Sequence, residues 1–354
     1  MRARRVVFRS RGETRVEPFE IGSPEPDQVL VEMLYTAISP GTERAFLFAE
    51  PGTTTARKGF PFQPGYSGVA RVIAVGSSVT RFAIGQTVAS LFPHVSHVLM
   101  PDTIGPGFAP EKYRYAFVSP IAGDGAFVPL HYLWPLDDGL DTARLKASAA
   151  FNIAGVGVTG ARYARVELGE SVVVLGLGPV GLLAAWAAKA SGGYPVTGVD
   201  PLEPRRRMAS RLGVDHALAS VDEDPRLYRI VIEATGRPEA FALALKRCKP
   251  GGRVVLLGST RGLVESIDVY NDVHRKGVEI IGAQVLTRPM MDSAPGRWTA
   301  WDENSLVLRL IADGRLDLAP LVETEIPAAR AADAYDLLTR APDALGALLD
   351  WTRD

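Results

Sequence analysis

The sequence predicts an α/β protein of two domains, a β-barrel-like domain and a doubly wound parallel sheet with helices on its faces. Three observations carry this expectation. Short strand-like runs broken by Gly and Pro fill the first part of the chain, and from Ser171 to Ala283 apolar runs alternate with helical stretches. The segment Ser171-Val172-Val173-Val174-Leu175-Gly176-Leu177-Gly178-Pro179-Val180-Gly181 joins a strand to a helix through spaced glycines.

In chain order, Arg5–Phe8 and Arg15–Pro18 read as a short hairpin, and the Pro24-Glu25-Pro26-Asp27 turn leads into a strand over Gln28–Tyr35. Thr36–Glu43 leaves that strand for a short helix or loop. Gly68–Val75 is a strand, and Gly76-Ser77-Ser78-Val79 leads towards another at Gly85–Ala89. Many short strands punctuated in this way indicate a barrel. The stretch Thr103–Pro135 carries Tyr113, Tyr115, Phe117, Phe127, His131, Tyr132 and Trp134 around a Gly-Asp-Gly turn. It reads either as a surface excursion or as a wall of a substrate pocket.

Asp141–Ala150 is expected to be a helix capped by Asp141, and Ile153–Arg165 a second helix entering the sheet domain. Val172–Leu175 is a strand buried on both faces. Gly176 permits the tight turn, Gly178 lets the backbone approach a pyrophosphate, and Gly181 lets the helix over Leu182–Ala190 pack against the strand. Pro179 and Val180, between the glycines, are expected at the cofactor. Strand Val196–Val199 ends in Asp200, roughly twenty residues after the last glycine, where a carboxylate suits the ribose hydroxyls of an adenine dinucleotide.

Further on, Pro204–Leu212 and Glu239–Cys248 are helical, while Arg229–Glu233, Gly252–Leu257 and Val278–Ala283 are strands. The carboxyl ends of parallel strands line one crevice, which places Thr235, Gly236, Gly258 and Ser259 beside the cofactor. Ser305–Asp313 and Ala328–Arg340 are amphipathic helices, and Leu345–Asp350 is a closing strand. The expected division is residues 1–150 with 288–354 for the barrel domain and 151–287 for the sheet domain.

The 354 residues carry a formal net charge of −1 with 22% charged side chains, which fits a globular protein and gives no sign of nucleic-acid binding. Val6-Val7-Phe8 is too short for a signal-peptide core and no apolar run approaches a membrane span, so a cytoplasmic location is expected. One cysteine, Cys248, rules out an internal disulfide and a cysteine-cage zinc.

The succession Gly41-Thr42-Glu43, Pro64-Gly65-Tyr66, Gly76-Ser77-Ser78-Val79, Gly85-Gln86-Thr87-Val88, the glycine motif and Lys249-Pro250-Gly251-Gly252 resembles the medium-chain dehydrogenase/reductase superfamily. The likeness covers nearly the whole chain apart from about 103–135. It implies a GroES-like β-barrel catalytic domain joined to a Rossmann domain, with the cofactor in a cleft between them. The details resemble a zinc-lacking, alcohol dehydrogenase-like branch. Where zinc-dependent members place their ligands, this chain has Pro40, then Tyr66 and Ser67, then Phe151 or Asn152, all poor or impossible zinc donors, so no catalytic metal is expected.

The resemblance also puts Thr42 where a hydroxyl contacts the substrate alcohol, with Glu43 behind it. Tyr66 then reads either as a phenol turned into the same cavity or as a barrel tyrosine bonded to backbone. Use of Tyr66 as a base would need a nearby cation, for which Lys58 and Arg44 are candidates. His94 and His97 flank Val95-Ser96, and one of them reads either as a general acid/base or as a surface histidine.

Asp200 disfavours a 2′-phosphate, whereas Arg205, Arg206 and Arg207 pull the other way from a solvated helix. NAD is the expected cofactor, with Arg205 stacked on or flanking the adenosine. Hydride exchange with a secondary alcohol or ketone of a small molecule is the expected reaction. Reduction of an enone or quinone, a redox-neutral NAD-assisted reaction and a non-catalytic NAD sensor stay open beside it. By the same resemblance Val278–Ala283 is expected to pair across a twofold axis in a homodimer.

Overall fold

The computed structural model describes residues 1–102, 133–264, 267–289, 292–341 and 343–353. The chain opens with an antiparallel hairpin, β1 (Arg2–Ser10) and β2 (Glu13–Glu20), turned at Gly12 with φ of 77°. A left-handed residue at that turn favours glycine, which has no Cβ to clash.

Next come β3 (Gln28–Ile38), β4 (Gly68–Val75), β5 (Thr87–Ser90), β6 (His97–Pro101) and β7 (Trp134–Pro135). The hub is β3, which pairs antiparallel with both β4 and β6. Its near-continuous apolar run follows from being covered on both faces, and only Glu32 along it is exposed. The strand runs three residues beyond the expected Tyr35, because Thr36, Ala37 and Ile38 find partners in the C-terminal strand Ala347–Asp350. Of the aromatic-rich stretch Thr103–Pro135, residues 103–132 lie outside the described residues.

The glycine motif follows β8 (Val172–Leu175), and then come β9 (Val196–Val199), β10 (His216–Leu218), β11 (Tyr228–Glu233), β12 (Cys248–Leu256) and β13 (Glu279–Gly282). They form a six-stranded sheet in the order β10-β9-β8-β11-β12-β13, every pair parallel. Connections running outward on both sides of β8 make the β8/β11 boundary a topological switch point, where ligands bind in such sheets. Right-handed crossovers through the helices Pro179–Ala190, Glu203–Arg211 and Pro238–Arg247 suit this order. The first of these helices starts at Pro179 rather than Leu182. Gly178 takes the cap position, and a proline at the first helical place has its φ already set.

The tail adds β14 (Glu325–Pro327), the helix Ala331–Arg340 and β15 (Ala347–Asp350), which pairs with β3. Two compact units result, Met1–Asn152 with Ser305–Asp354, and Ile153–Asn304. Residues 288–304 therefore group with the sheet unit, not with the barrel unit as the sequence suggested. The reason is a buried clamp: Glu303 accepts from Thr159 Oγ1 at 2.6 Å and from Arg288 at 3.1 Å, while Arg162 lies 3.6 Å over the Trp298 ring. The helix Ala300–Ala312 correspondingly begins before Ser305, and Thr299 Oγ1 accepts from Asp302 N near its start. Among the described residues no helix is long and apolar enough to cross a membrane.

Candidate functional site

In the sheet unit the strand ends converge on the glycine turn. Gly176 has φ of 88°, and a Cβ on it would sit 2.8 Å from the Thr235 side chain. A Cβ on Gly181 would stand 1.8 Å from the Gly176 carbonyl oxygen, so the helix can approach β8 only because this residue lacks one. Gly178 differs. A Cβ there meets only Arg205 Nη1, at 3.8 Å, and the half-buried Gly178, Pro179 and Val180 leave open space at the helix N-terminus. Such a terminus has unpaired N–H groups and a positive dipole end, which fits a pyrophosphate.

Asp200 closes β9 and is 3% exposed. Its Oδ2 accepts from Leu177 N at 2.9 Å and its Oδ1 accepts from Leu202 N at 2.9 Å. Arg205 Nη1 stands 3.3 Å from Oδ2, so Arg205 pairs with the carboxylate beside the glycine turn. Arg206 donates to the carbonyls of Asp200 and Pro201, and Arg207 pairs with Glu203, which removes both from the Asp200 carboxylate.

Thr235 and Ser259 are exposed at the ends of β11 and β12. Sequence reading passed over the group that holds Thr235 and its neighbours. Glu233 is fully buried; its Oε1 accepts from Thr235 N at 2.6 Å and Gly236 N at 3.0 Å, and its Oε2 accepts from Thr260 Oγ1 at 2.9 Å. A Cβ on Gly258 would lie 2.4 Å from Gly236 N, so the two turns are in contact. The signal was a carboxylate closing the apolar run Ile230–Ile232, which must be paired to be buried. Cys248 lies deep in this unit, and burial pushes its thiol up to about 11 despite Lys276, Arg229 and Arg253 nearby.

The barrel unit brings Thr42, Glu43, Tyr66 and His94 together, but in layers. On the outer layer Tyr66 lies within hydrogen-bonding reach of the Ser39 and Thr42 hydroxyls. Beneath it Glu43 is 1% exposed, and its Oε1 accepts from Ser39 N at 2.8 Å at the start of the helix Pro40–Leu47. Burial raises the Tyr66 phenol well above its ordinary value, and the Glu43 carboxylate raises it further, only partly offset by the two hydroxyls. The charge acting on Tyr66 is thus negative. Neither candidate cation supplies the opposite: Arg44 pairs with Glu50 at 2.9 Å and Lys58 is exposed.

His94 corrects the expectation that it offers an acid/base to substrate. Its side chain is fully buried, with Nε2 3.0 Å from Glu43 Oε2 and Nδ1 2.8 Å from Thr36 Oγ1. A Cβ on Gly65 would fall 2.4 Å from His94 N, so the Pro64-Gly65 turn packs directly on its backbone. His97 is partly buried, with burial lowering its imidazole, and its Nδ1 faces Ser96 Oγ at 3.0 Å.

At Ser67 and Asn152, two of the positions where the resemblance would set zinc ligands, the polar groups serve the backbone. Ser67 Oγ donates to the Ala149 carbonyl at 2.6 Å, and Asn152 Nδ2 donates to the Tyr66 carbonyl at 3.2 Å. Among the described residues no three His, Cys, Asp or Glu side chains gather as a metal cage requires.

A parallel sheet in this order, with an acid-closed glycine turn and a barrel unit carrying a hydroxyl cluster over a buried carboxylate, defines a dinucleotide-dependent oxidoreductase class. Residues 25–108 match the family model described as "Alcohol dehydrogenase GroES-like domain", and residues 179–296 the one described as "Zinc-binding dehydrogenase". The chain belongs to the medium-chain dehydrogenase/reductase superfamily, a family of pyridine-nucleotide dehydrogenases. It is 28% identical over 325 residues to an L-threonine 3-dehydrogenase of Thermococcus kodakarensis, covering 86% of this chain and 85% of that one. It is also 27% identical over 274 residues to a sorbitol dehydrogenase of Bacillus subtilis, covering 72% and 74%. Galactitol-1-phosphate dehydrogenase of Escherichia coli shares the fold, with a TM-score of 0.74 at 22% identity over 98% of this chain and 99% of that one.

Proposed function

We propose that the protein is an NAD-dependent dehydrogenase that oxidises a secondary alcohol of a small molecule, or reduces the matching ketone, without a catalytic metal. The observation that carries this reading is the Asp200 carboxylate, tied to Leu177 N at 2.9 Å beside the open Gly178. The negative group stands where a ribose would be held, and a 2′-phosphate there would meet like charge. Gly176, Gly178, Pro179, Val180 and Gly181 would hold the pyrophosphate, and Thr235, Gly236, Gly258 and Ser259 would line the rest of the dinucleotide. Arg205, already engaged with Asp200, flanks the adenosine. Bound nicotinamide supplies the hydride acceptor or donor.

The chain's own part is to hold the substrate oxygen. Tyr66 rests as a phenol across the neutral range, with Thr42 beside it; in ketone reduction it gives its proton to the oxygen as hydride arrives and regains one from solvent, and in alcohol oxidation the hydroxyl proton passes by the same hydroxyls to solvent. Glu43 and His94 act from behind, by fixing the helix start that carries Thr42. A zinc does not fit the set Pro40, Tyr66, Ser67, Asn152: proline offers no donor, the Tyr66 phenol keeps its proton, and Ser67 and Asn152 already serve the backbone. The dehydrogenase names of the aligned relatives support the reaction class. A homodimer through the β13 edge is part of the same reading, supported by Ile280, which is 42% exposed on that strand.

The test is NAD reduction with a panel of secondary alcohols and polyols, with and without a strong chelator. Turnover that is indifferent to chelator and favours NAD over NADP is expected. Activity lost to chelator and restored by zinc would overturn the metal-free part. Tight NAD binding with no turnover of any alcohol or ketone would replace the enzyme with a sensor.

A further inference from the structure

Behind the hydroxyl cluster lies a hydrogen-bond chain that begins at the far end of the sequence. Trp351 Nε1 is 3.0 Å from Thr36 Oγ1, and the same oxygen is 2.8 Å from His94 Nδ1. Tyr335 O–H donates to Glu43 Oε2 at 2.6 Å, the oxygen that faces His94 Nε2 at 3.0 Å. All of these groups are buried: Thr36 and His94 are 0% exposed, Glu43 1%, Tyr335 2% and Trp351 6%.

The direction of each bond follows from what each group can do. An indole N–H only donates, so Thr36 Oγ1 accepts from Trp351. The Thr36 hydroxyl keeps one proton and a second lone pair; because the Glu43 carboxylate calls for a donor on Nε2, a neutral ring leaves Nδ1 to accept that proton. The ring proton resides on Nε2 and is donated to Glu43. Ser39 N, His94 Nε2 and Tyr335 O–H are all donors, and an ionised carboxylate is the group that only accepts. The donors run one way, from Trp351 through Thr36 and His94 to Glu43, where Tyr335 and Ser39 also donate.

We propose that Trp351 and Tyr335 are positioning residues for the candidate site: Trp351 holds His94 as the neutral Nε2–H tautomer, and Tyr335 with His94 holds the Glu43 anion that anchors the helix start beneath Tyr66. The other ionisable group facing Glu43 is Tyr66 itself, so the chain ends on the phenol assigned to substrate. The consequence for the reaction rests on the dehydrogenase reading, whereas the tautomer does not.

Histidine-selective nitrogen NMR of the full-length protein at neutral pH tests the tautomer, with the His94 resonances identified by their loss in His94→Asn. The wild type is expected to show an unprotonated Nδ1 and a protonated Nε2. Trp351→Phe keeps an aromatic ring and removes the N–H, and is expected to give a second His94 form, protonated on Nδ1. Thr36→Val removes the same link should Trp351→Phe fail to fold. A wild-type imidazolium or Nδ1–H ring, or a variant spectrum identical to wild type, overturns the proposal. For Tyr335→Phe, kcat on a turned-over alcohol should fall about ten-fold, the order of one lost hydrogen bond to a charged group, with KM for NAD unchanged. An unchanged kcat overturns the Tyr335 assignment. If the wild type turns over no alcohol, the dehydrogenase reading falls while the His94 spectrum still decides the tautomer.

Discussion

Leu177 N donates to Asp200 Oδ2 across 2.9 Å, joining two residues 23 positions apart. The bond ties the middle of the glycine turn to the end of the neighbouring strand, so the turn and the ribose-side carboxylate are set by one contact. With Leu202 N on its other oxygen, Asp200 is held rigidly at the edge of the crevice.

Replacing Asp200 by Ala leaves two buried N–H donors without an acceptor and frees Arg205 from its partner. The expected result is a rise in KM for NAD of about 10- to 100-fold, the range of a lost charge-assisted hydrogen bond. NADP should gain relative to NAD, because the repelling charge is gone and Arg205 remains. Steady-state kinetics with both cofactors check this. An unchanged preference for NAD would contradict the assigned role.

The glycines separate fold from function. Gly178→Ala places a methyl in open space, with Arg205 Nη1 3.8 Å away, so thermal stability should stay near wild type while NAD affinity falls at least about ten-fold. Gly181→Ala drives a methyl into the Gly176 carbonyl oxygen at 1.8 Å, and should cost about 3 kcal/mol or more of stability. Calorimetry paired with a cofactor titration distinguishes the two.

Tyr66 is half-buried beside a carboxylate, and the loss of solvent and the negative charge both raise its phenol well above the usual value. Its proton therefore stays in place at neutral pH and through the range in which an ordinary tyrosine begins to ionise. No alkaline loss or gain of activity below about pH 10 should trace to Tyr66. Tyr66→Phe should reduce kcat by about 10²- to 10⁴-fold, the range for a removed general acid. A Tyr66→Phe enzyme with wild-type kcat would place the substrate oxygen elsewhere.

In the sheet unit, Asp224 accepts from Arg226 and from Tyr228 O–H at 2.6 Å, and Arg226 chiefly holds its carboxyl well below the ordinary range. A carboxylate depressed in the folded state adds stability that is complete above its unfolded value, near ~3.9, and is lost as pH falls towards the folded one. Melting temperatures of wild type and Asp224→Asn should differ at pH 7 and converge in strong acid. Parallel curves down to pH 2 would show that the ion pair does not contribute.

Much of the sheet unit was legible in the sequence because its determinants are local. The run Val172–Leu175, the three spaced glycines and Asp200 lie within one strand-helix-strand stretch, and their chemistry can be read from residue type and spacing. The barrel unit yielded its strands for the same reason, since β4 follows from its pattern of residues and its flanking turns. Boundaries were less legible: residues 288–304 join the sheet unit through the buried Glu303 clamp, which no periodicity announces.

The sequence by itself determined a parallel sheet with a turn suited to a dinucleotide, and a set of hydroxyl and carboxylate residues near Thr42. Only the tertiary structure decided which of them face outward. His94 lies 51 residues from Glu43, Tyr335 lies 292 from it, and Trp351 lies 315 from Thr36. Contacts that distant form only when β3, β15 and the C-terminal helix pack together. A side chain's burial, and hence whether it meets substrate or supports a neighbour, is a property of that packing and not of any one stretch.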